Sequence, residues 1–166
     1  MATLTFRKAK EKDIPHINLI YENAKIFMHE SGNHTQWING YPGINEIEKD
    51  LEHSRLYVGE DESGEIAVVF VFIIGEDPTY KEINGEWLND EPYGTIHRIA
   101  SSGKHNKTLD SCLDFCFKKI DNVRIDTHKD NFPMLNALKR NGFQRCGIII
   151  CANGTEREAF QGLKSF

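Results

Sequence analysis

At 166 residues and a formal net charge of −5, the chain is long enough for one domain, residues 1–166, to bury a sizeable core without disulfide or metal staples. The acidic balance argues against a general nucleic-acid binder. No apolar run is long enough to span a bilayer, and the start MATLTFRKAKEKD lacks the apolar core of a secretory signal, so the expectation is a cytoplasmic protein with neither nucleic acid nor membrane as partner.

Leu4 and Phe6 alternate with Thr3, Thr5 and Arg7, which predicts a short first strand. Asp13 is placed to cap a helix, with Pro15 in its first turn, where the missing N–H is not needed. Ile14, Ile17, Tyr21, Ala24 and Met28, widened by Ile20 and Phe27, form that helix's apolar stripe. It gives way near Ser31-Gly32, and GNHTQWINGYPG, rich in Gly and Asn, reads as an irregular loop. A second helix starts at Ile44, with Ile47 and Leu51 on its inner side. A strand at Leu56 to Gly59 and a turn at Asp61-Glu62-Ser63-Gly64 follow. Ile66 to Ile74 is unbroken apolar sequence rich in β-branched and aromatic residues, the mark of a central strand covered on both faces. GEDPTYKEINGEWLNDEPYG is a long connection, either a functional loop or a mobile excursion.

Thr95 to Ala100 forms the next strand and enters the loop Ser101 to Lys107. Leu109, Cys112, Leu113, Cys116, Phe117 and Ile120 then fit the helical template. Val123 to Thr127 is a strand, Asp130 or Asn131 caps a helix with Pro133 in its first turn, and Met134, Leu135 and Leu138 face inward. Gly142 suits the left-handed residue after a helix end. Phe143 to Cys151 is a strand, and Ala152-Asn153-Gly154-Thr155 turns the chain into a final antiparallel one. The order β-α-α-β-β-β-α-β-α-β-β describes a mixed sheet with helices on both faces, an α/β (mixed α+β) domain. Cys112, Cys116, Cys146 and Cys151 lie in apolar segments and read as structural; no zinc spacing or disulfide framework stands out, so no metal is expected.

The loop SSGKHNKT joins a strand to a helix N-terminus, where free N–H groups and the helix dipole suit phosphate and Lys104 and Lys107 add charge; a solvated turn is the other reading. The stretch RIDTHKDNFPMLNALKRNGFQRCGIII, with Asn131 at a helix start and Gly142-Phe143 at its exit, resembles the second core segment of the GNAT superfamily of N-acetyltransferases. HRIASSGKHNKTLDSCLDFCF resembles that family's acetyl-CoA segment, and the whole chain is similar to it in element order.

The resemblance implies a central, mostly antiparallel sheet with a splayed parallel pair, acetyl-CoA as acyl donor, and direct attack of a small-molecule or protein amine on the thioester. It assigns strand backbone at Ile99, Ala100 and Ser101 to the pantetheine arm and Lys104, His105, Asn106, Lys107 and Thr108 to the pyrophosphate. Asn131 falls near the thiol. Lys107 and Leu109 stand where the family's loop carries glycines, and Leu138 stands where many members carry a proton-donating tyrosine. His97 is the candidate base, or else an imidazole satisfied by its neighbours. Arg98 points to the opposite face unless the strand is bulged. Trp37, Tyr41, Tyr80 and Trp87, in the two loops that would form the acceptor pocket, are candidate substrate walls. A degenerate member that binds acyl-CoA as a sensor is the alternative, and a homodimer paired through Glu156 to Phe160 is a further expectation.

Overall fold

The apolar run Ile66–Ile74 forms the strand on which the molecule is built. In the computed structural model, which describes residues 3–165, its first seven residues are all buried, as a strand covered on both faces requires. In chain order the strands are β1 (Thr5–Lys8), β2 (Leu56–Glu60), β3 (Ile66–Ile74), β4 (Asn84–Gly85), β5 (Gly94–Ser101), β6 (Asn122–Thr127), β7 (Gln144–Ile150) and β8 (Glu156–Leu163). They make one eight-stranded sheet in the order β1-β2-β3-β5-β6-β8-β7-β4. Helices α1 (Ile14–Glu30) and α2 (Ile44–Glu52) cover one face, where Ile17, Tyr21 and Ile47 pack on Leu56, Val58 and Val69. Helices α3 (Thr108–Phe117) and α4 (Phe132–Arg140) belong to the other core, in which Cys112, Cys116 and Leu138 meet Phe70, Val123 and Phe160. The mixed fold expected from the sequence is the one formed.

Several local expectations change. Asp13 lies in a short 3-10 turn, Glu11–Asp13, and does not cap α1 with its side chain. Its carboxylate is taken by the Arg7 guanidinium, at 2.7 and 3.0 Å, and by the Lys10 amide, a two-pronged charge-assisted arrangement stronger than a helix cap. The stripe of α1 is buried at Ile17, Ile20 and Tyr21 and half-buried at Ala24 and Met28, while Phe27 near its end is exposed. The final strand, β8, is bonded to β6 on one edge and β7 on the other. Both edges being occupied, it offers no free ladder through which two copies could pair.

The long connection between β3 and β5 is fastened to the sheet. Arg124 lies between the rings of Trp87 and Tyr93, 4.2 and 4.0 Å from their centres. The Trp87 indole donates to the Tyr80 carbonyl, the Leu88 amide to Gln161, and the Asn122 carboxamide to Asn89. Within this connection β4 pairs with β7 at Asn84↔Ile148 and Gly85↔Gly147. A Cβ on Gly85 would sit 2.1 Å from the Cys146 carbonyl oxygen, and one on Gly147 2.2 Å from that of Asn84. Only glycine at both places lets the two backbones cross this closely.

Strand β5 is irregular along both of its edges. It runs parallel to β6 but pairs with it only at Gly94↔Val123 and Thr95↔Arg124; beyond these the two strands part. Against β3, the register passes from Val71↔His97 to Val69↔Ala100, so three steps on β5 oppose two on β3. The extra residue is a β-bulge at Arg98-Ile99, and Arg98 takes the left-handed region, φ +46°.

Candidate active site

Where β5 and β6 diverge, a cavity of about 610 Å³ opens between the sheet and its covering loops. Its sheet wall comes from Ile96, His97, Arg98 and Ile99 on β5 and Ile125, Asp126 and Thr127 on β6. The bulge brings His97 and Arg98 to the same cavity, meeting the condition that alternation along a regular strand forbids.

His97 is held by one partner. Its Nε2 lies 2.7 Å from Oδ2 of Asp77, while the other Asp77 oxygen accepts from the Thr79 amide and hydroxyl at 2.9 and 2.7 Å. Burial pushes the Asp77 carboxyl up, and the hydrogen bonds and charge from His97 and Thr79 more than offset it, holding it at about 2. An ionised carboxylate only accepts, so Nε2 carries the hydrogen and Nδ1 keeps a basic lone pair. The backbone amide of Asp77 donates to the Tyr93 hydroxyl at 2.7 Å, which ties this part of the connection to the start of β5.

Asp126 accepts from the Tyr80 hydroxyl at 2.5 Å. Burial, then the Asp126 charge, push that phenol well above its ordinary range, so Tyr80 remains a neutral donor. Arg98 is fixed from several sides. Its guanidinium reaches Asp50 at 3.0 and 2.8 Å and the Tyr41 hydroxyl at 3.0 Å, and its carbonyl accepts from Tyr21. Asp50, 1% exposed, also takes Arg55 at 2.8 Å. This network holds a non-glycine residue left-handed within a strand.

Asn131 caps α4 through its carbonyl oxygen, 3.4 Å from the Met134 amide, while its Nδ2 donates to Thr127 Oγ1 and Gln36 Oε1, each at 3.1 Å. Thr35 and His128 are joined at 2.8 Å, so the loop before α2 is laced to the turn between β6 and α4. His128 Nδ1 accepts from the Asp130 amide, leaving Nε2 to donate to Thr35. Burial, then the nearby Arg157 charge, push the His128 pKa down.

Of the residues singled out in the sequence, His97, Ile99, Asn131, Trp37 and Tyr41 line the cavity. Ala100 is 5% exposed and faces the core beneath α1, and Ser101 pairs with Val68 at the end of β5. Tyr80 is 2% exposed, with only its hydroxyl directed to a cavity-lining group, and Trp87 is spent on Arg124 and the Tyr80 ring rather than on the cavity wall. The loop before α3 is divided. Lys104 pairs with Glu65, and His105 lies 3.0 Å from Asp61. Asn106 belongs to the turn, Lys107 is the left-handed N-cap of α3, φ +55°, and Thr108 is its first residue. That helix start has no side-chain cap, leaving its first N–H groups open to an anion. Among the described residues Lys107 makes no ion pair, and no cluster of three or more His, Cys, Asp and Glu suits a metal.

Asp77, Asp126 and Arg157 were missed in the sequence. Asp77 opens a Pro-Thr turn and looks like ordinary loop chemistry. Asp126 and Arg157 stand among other polar residues in NVRIDT and EREAFQGL, so the local pattern does not mark them; only the fold turns both into the cavity.

Comparison with models of known protein families gives no match, and neither does comparison with curated proteins. Solved structures do match. A GNAT-family acetyltransferase from Streptococcus agalactiae is 30% identical, over 98% of this chain and 96% of that one, with a TM-score of 0.87. A GNAT-family acetyltransferase from Listeria monocytogenes is 22% identical over 99% and 98%, with a TM-score of 0.72. The NatC complex, solved with a Gag peptide and CoA, shares the fold at 13% identity over 98% and 99%, with a TM-score of 0.62. No helix among the described residues is long and apolar enough to cross a membrane. Splayed strands, an uncapped helix start beside them and near-complete overlap at 30% identity together carry the assignment: the chain belongs to the GNAT family of acetyltransferases.

Proposed function

We propose that residues 1–166 act as a single-domain N-acetyltransferase that uses acetyl-CoA to acetylate an amine held in the cavity beside His97. The observation that carries this reading is the His97–Asp77 pair on the wall of the wedge between β5 and β6. Acetyl-CoA supplies an acyl group activated as a thioester, whose carbon–sulfur bond breaks as the carbon–nitrogen bond forms. The residues present fit that group. Past Thr95 the β5 backbone groups that alternate away from β3 have no partner in β6, which leaves those between Ile99 and Ser101 to an extended arm; the uncapped start of α3 suits its pyrophosphate, and Lys107 supplies a cation to the same place.

An amine attacks only through its lone pair, and most amines are protonated at neutral pH. His97 Nδ1 accepts the proton that the nitrogen sheds. Asp77 keeps the imidazole in the correct tautomer and stabilises the imidazolium. Starting from the ammonium, the nitrogen loses two protons as the amide forms: one frees the lone pair and the other leaves after attack, and, relayed by His97 or water, one ends on the departing thiolate and one in solvent. Leu138, fully buried in the core, supplies no hydroxyl. Asn131 fixes the start of α4 and the loop bearing Gln36 and Trp37 near the reacting atoms.

Free-thiol release from acetyl-CoA across a panel of amines tests the proposal, alongside the melting temperature with and without acetyl-CoA. The expected result is a raised melting temperature and turnover that falls by about 100-fold or more in His97→Ala while the acetyl-CoA shift is retained. The buried Leu138 favours a second reading, a sensor that binds acyl-CoA without turnover. A melting shift with no thiol release across the panel would select it, and the absence of any shift would reject both.

A further inference from the structure

The charged groups of the cavity do not all cancel. Asp77 is occupied by the N–H of the neutral His97 imidazole and by Thr79, and Arg98 is paired with Asp50. Two remain. Asp126 accepts from the neutral Tyr80 hydroxyl, and among the described residues it makes no ion pair. Arg157, only 6% exposed, donates to Thr155 Oγ1 at 2.7 Å and to the Glu156 carbonyl at 2.9 Å, both neutral, and likewise makes no ion pair among the described residues. A buried guanidinium with only neutral acceptors is costly unless an anion joins it. Its uncancelled field is felt by His128, whose protonated form it disfavours.

These two charges lie on one face of the sheet. Asp126 pairs with Ala159 across the β6–β8 ladder, and Arg157 is two residues from Ala159 on β8. Such diagonal neighbours have Cβ atoms about 7–8 Å apart, and both side chains line the same cavity. Thr95 pairs with Arg124, two residues before Asp126, so His97, two residues after Thr95, falls on this face as well. A carboxylate and a guanidinium thus share one cavity with the base.

From this we infer that the acceptor is a small zwitterionic amine of the α-amino-acid type, its carboxylate on Arg157 and its ammonium on Asp126 before the proton passes to His97. The inference rests on the acetyl-transfer reading and narrows its substrate class. A planar guanidinium suits a carboxylate in two-pronged fashion, and Asp126 gathers the ammonium without itself having to act as the base.

The test compares the common L-α-amino acids, each beside its carboxamide and its decarboxylated amine, as acceptors with acetyl-CoA. Carboxamides have less basic amines and so hold more neutral nucleophile near pH 7; chemistry alone would favour them. Preference in kcat/KM for at least one amino acid over its carboxamide and amine, by about 10-fold or more, is the expected result. Arg157→Gln should raise KM for that amino acid by a similar factor and erase the preference, while Arg157→Lys retains part of it. A second readout does not depend on turnover: calorimetric titration of that amino acid into the protein should show binding that Arg157→Gln loses. If Arg157→Gln does not fold, the discrimination by the unaltered protein decides. Turnover indifferent to the carboxylate, or confined to amines or peptides lacking it, overturns the zwitterion assignment and leaves acetyl transfer standing. Failure of acetyl-CoA to raise the melting temperature, with no thiol released by any compound, overturns acetyl transfer itself.

Discussion

At the Asp77 carboxylate, Oδ1 closes the turn at Thr79 while Oδ2 orients His97. Asp77→Asn keeps the shape and removes the charge. It can also present an N–H to Nε2, which would move the imidazole proton to Nδ1 and block the lone pair. We expect kcat to fall by about 10²–10⁴-fold with little change in acetyl-CoA affinity, measured by thiol release and calorimetry. The same carboxylate contributes to stability in a pH-dependent way. Its folded pKa, about 2, lies below the ordinary aspartate value of 3.8. The contribution is therefore fully present above about pH 4 and is lost as the pH falls towards 2. Urea unfolding should show the unaltered protein about 1–2 kcal/mol more stable than Asp77→Asn at pH 5, with the gap closing by pH 2. A constant gap over that range would mean that the carboxylate charge is not what Asp77 contributes. None of this was readable from the chain. His97 stood out as an imidazole on the right strand, but its partner lies 20 positions earlier in a loop.

The bulge in β5 marks the limit of strand-level reading. Alternation places His97 and Arg98 on opposite faces, and only an extra residue against β3 brings both to the cavity. Sequence offers no glycine at 98 to announce a left-handed residue. The conformation is imposed by Asp50, Tyr41 and Tyr21, which come from α2, a loop and α1. By contrast, β3, the caps and exits of α4 and the Asn153-Gly154 hairpin depend on local patterns and were legible. The two-residue β4 was not, because Asn84-Gly85 reads as a turn until its partner on β7 is known. Each device invites a substitution. Arg98→Ala strands Asp50, 1% exposed, with Arg55 as its remaining guanidinium partner, and should cost about 2–4 kcal/mol in urea unfolding. Gly147→Ala forces a Cβ against the Asn84 carbonyl from φ +151°. A loss of about 1–3 kcal/mol and faster hydrogen exchange across residues 84–89 should follow. Unchanged exchange there would show that the polar clamps, Arg124 and Gln161, hold the connection without β4.

Across the whole molecule, the sheet is two four-stranded halves, β1-β2-β3-β5 and β6-β8-β7-β4, joined in the ladder at only two residue pairs. The rest of the join is side-chain packing, in a core that Phe70 and Ile96 share with Val123 and Ile125, together with the fastened connection over Arg124. Backbone groups along the parting strands therefore have ladder partners on one side only, β3 for β5 and β8 for β6. A molecule lying in the wedge would complete the ladder from β5 and make the halves cooperate. Hydrogen exchange with and without CoA can follow this directly. Slower exchange is expected over residues 97–101 of β5 and at the start of α3, where the pyrophosphate would take the open N–H groups. Residues 144–150 of β7, which pair with β8 along the strand and with β4 at Gly147 and Ile148 and lie away from the wedge, should change little. The melting temperature should rise as a single transition, since the ligand would bind only the state in which both halves are formed. Protection confined to the start of α3 would mean that the anion site works alone and that β5 does not hold the pantetheine arm. Uniform protection of β7 along with β5 would point to global stabilisation rather than to a bound strand-like arm, and would remove the wedge from the account of how the cofactor is held.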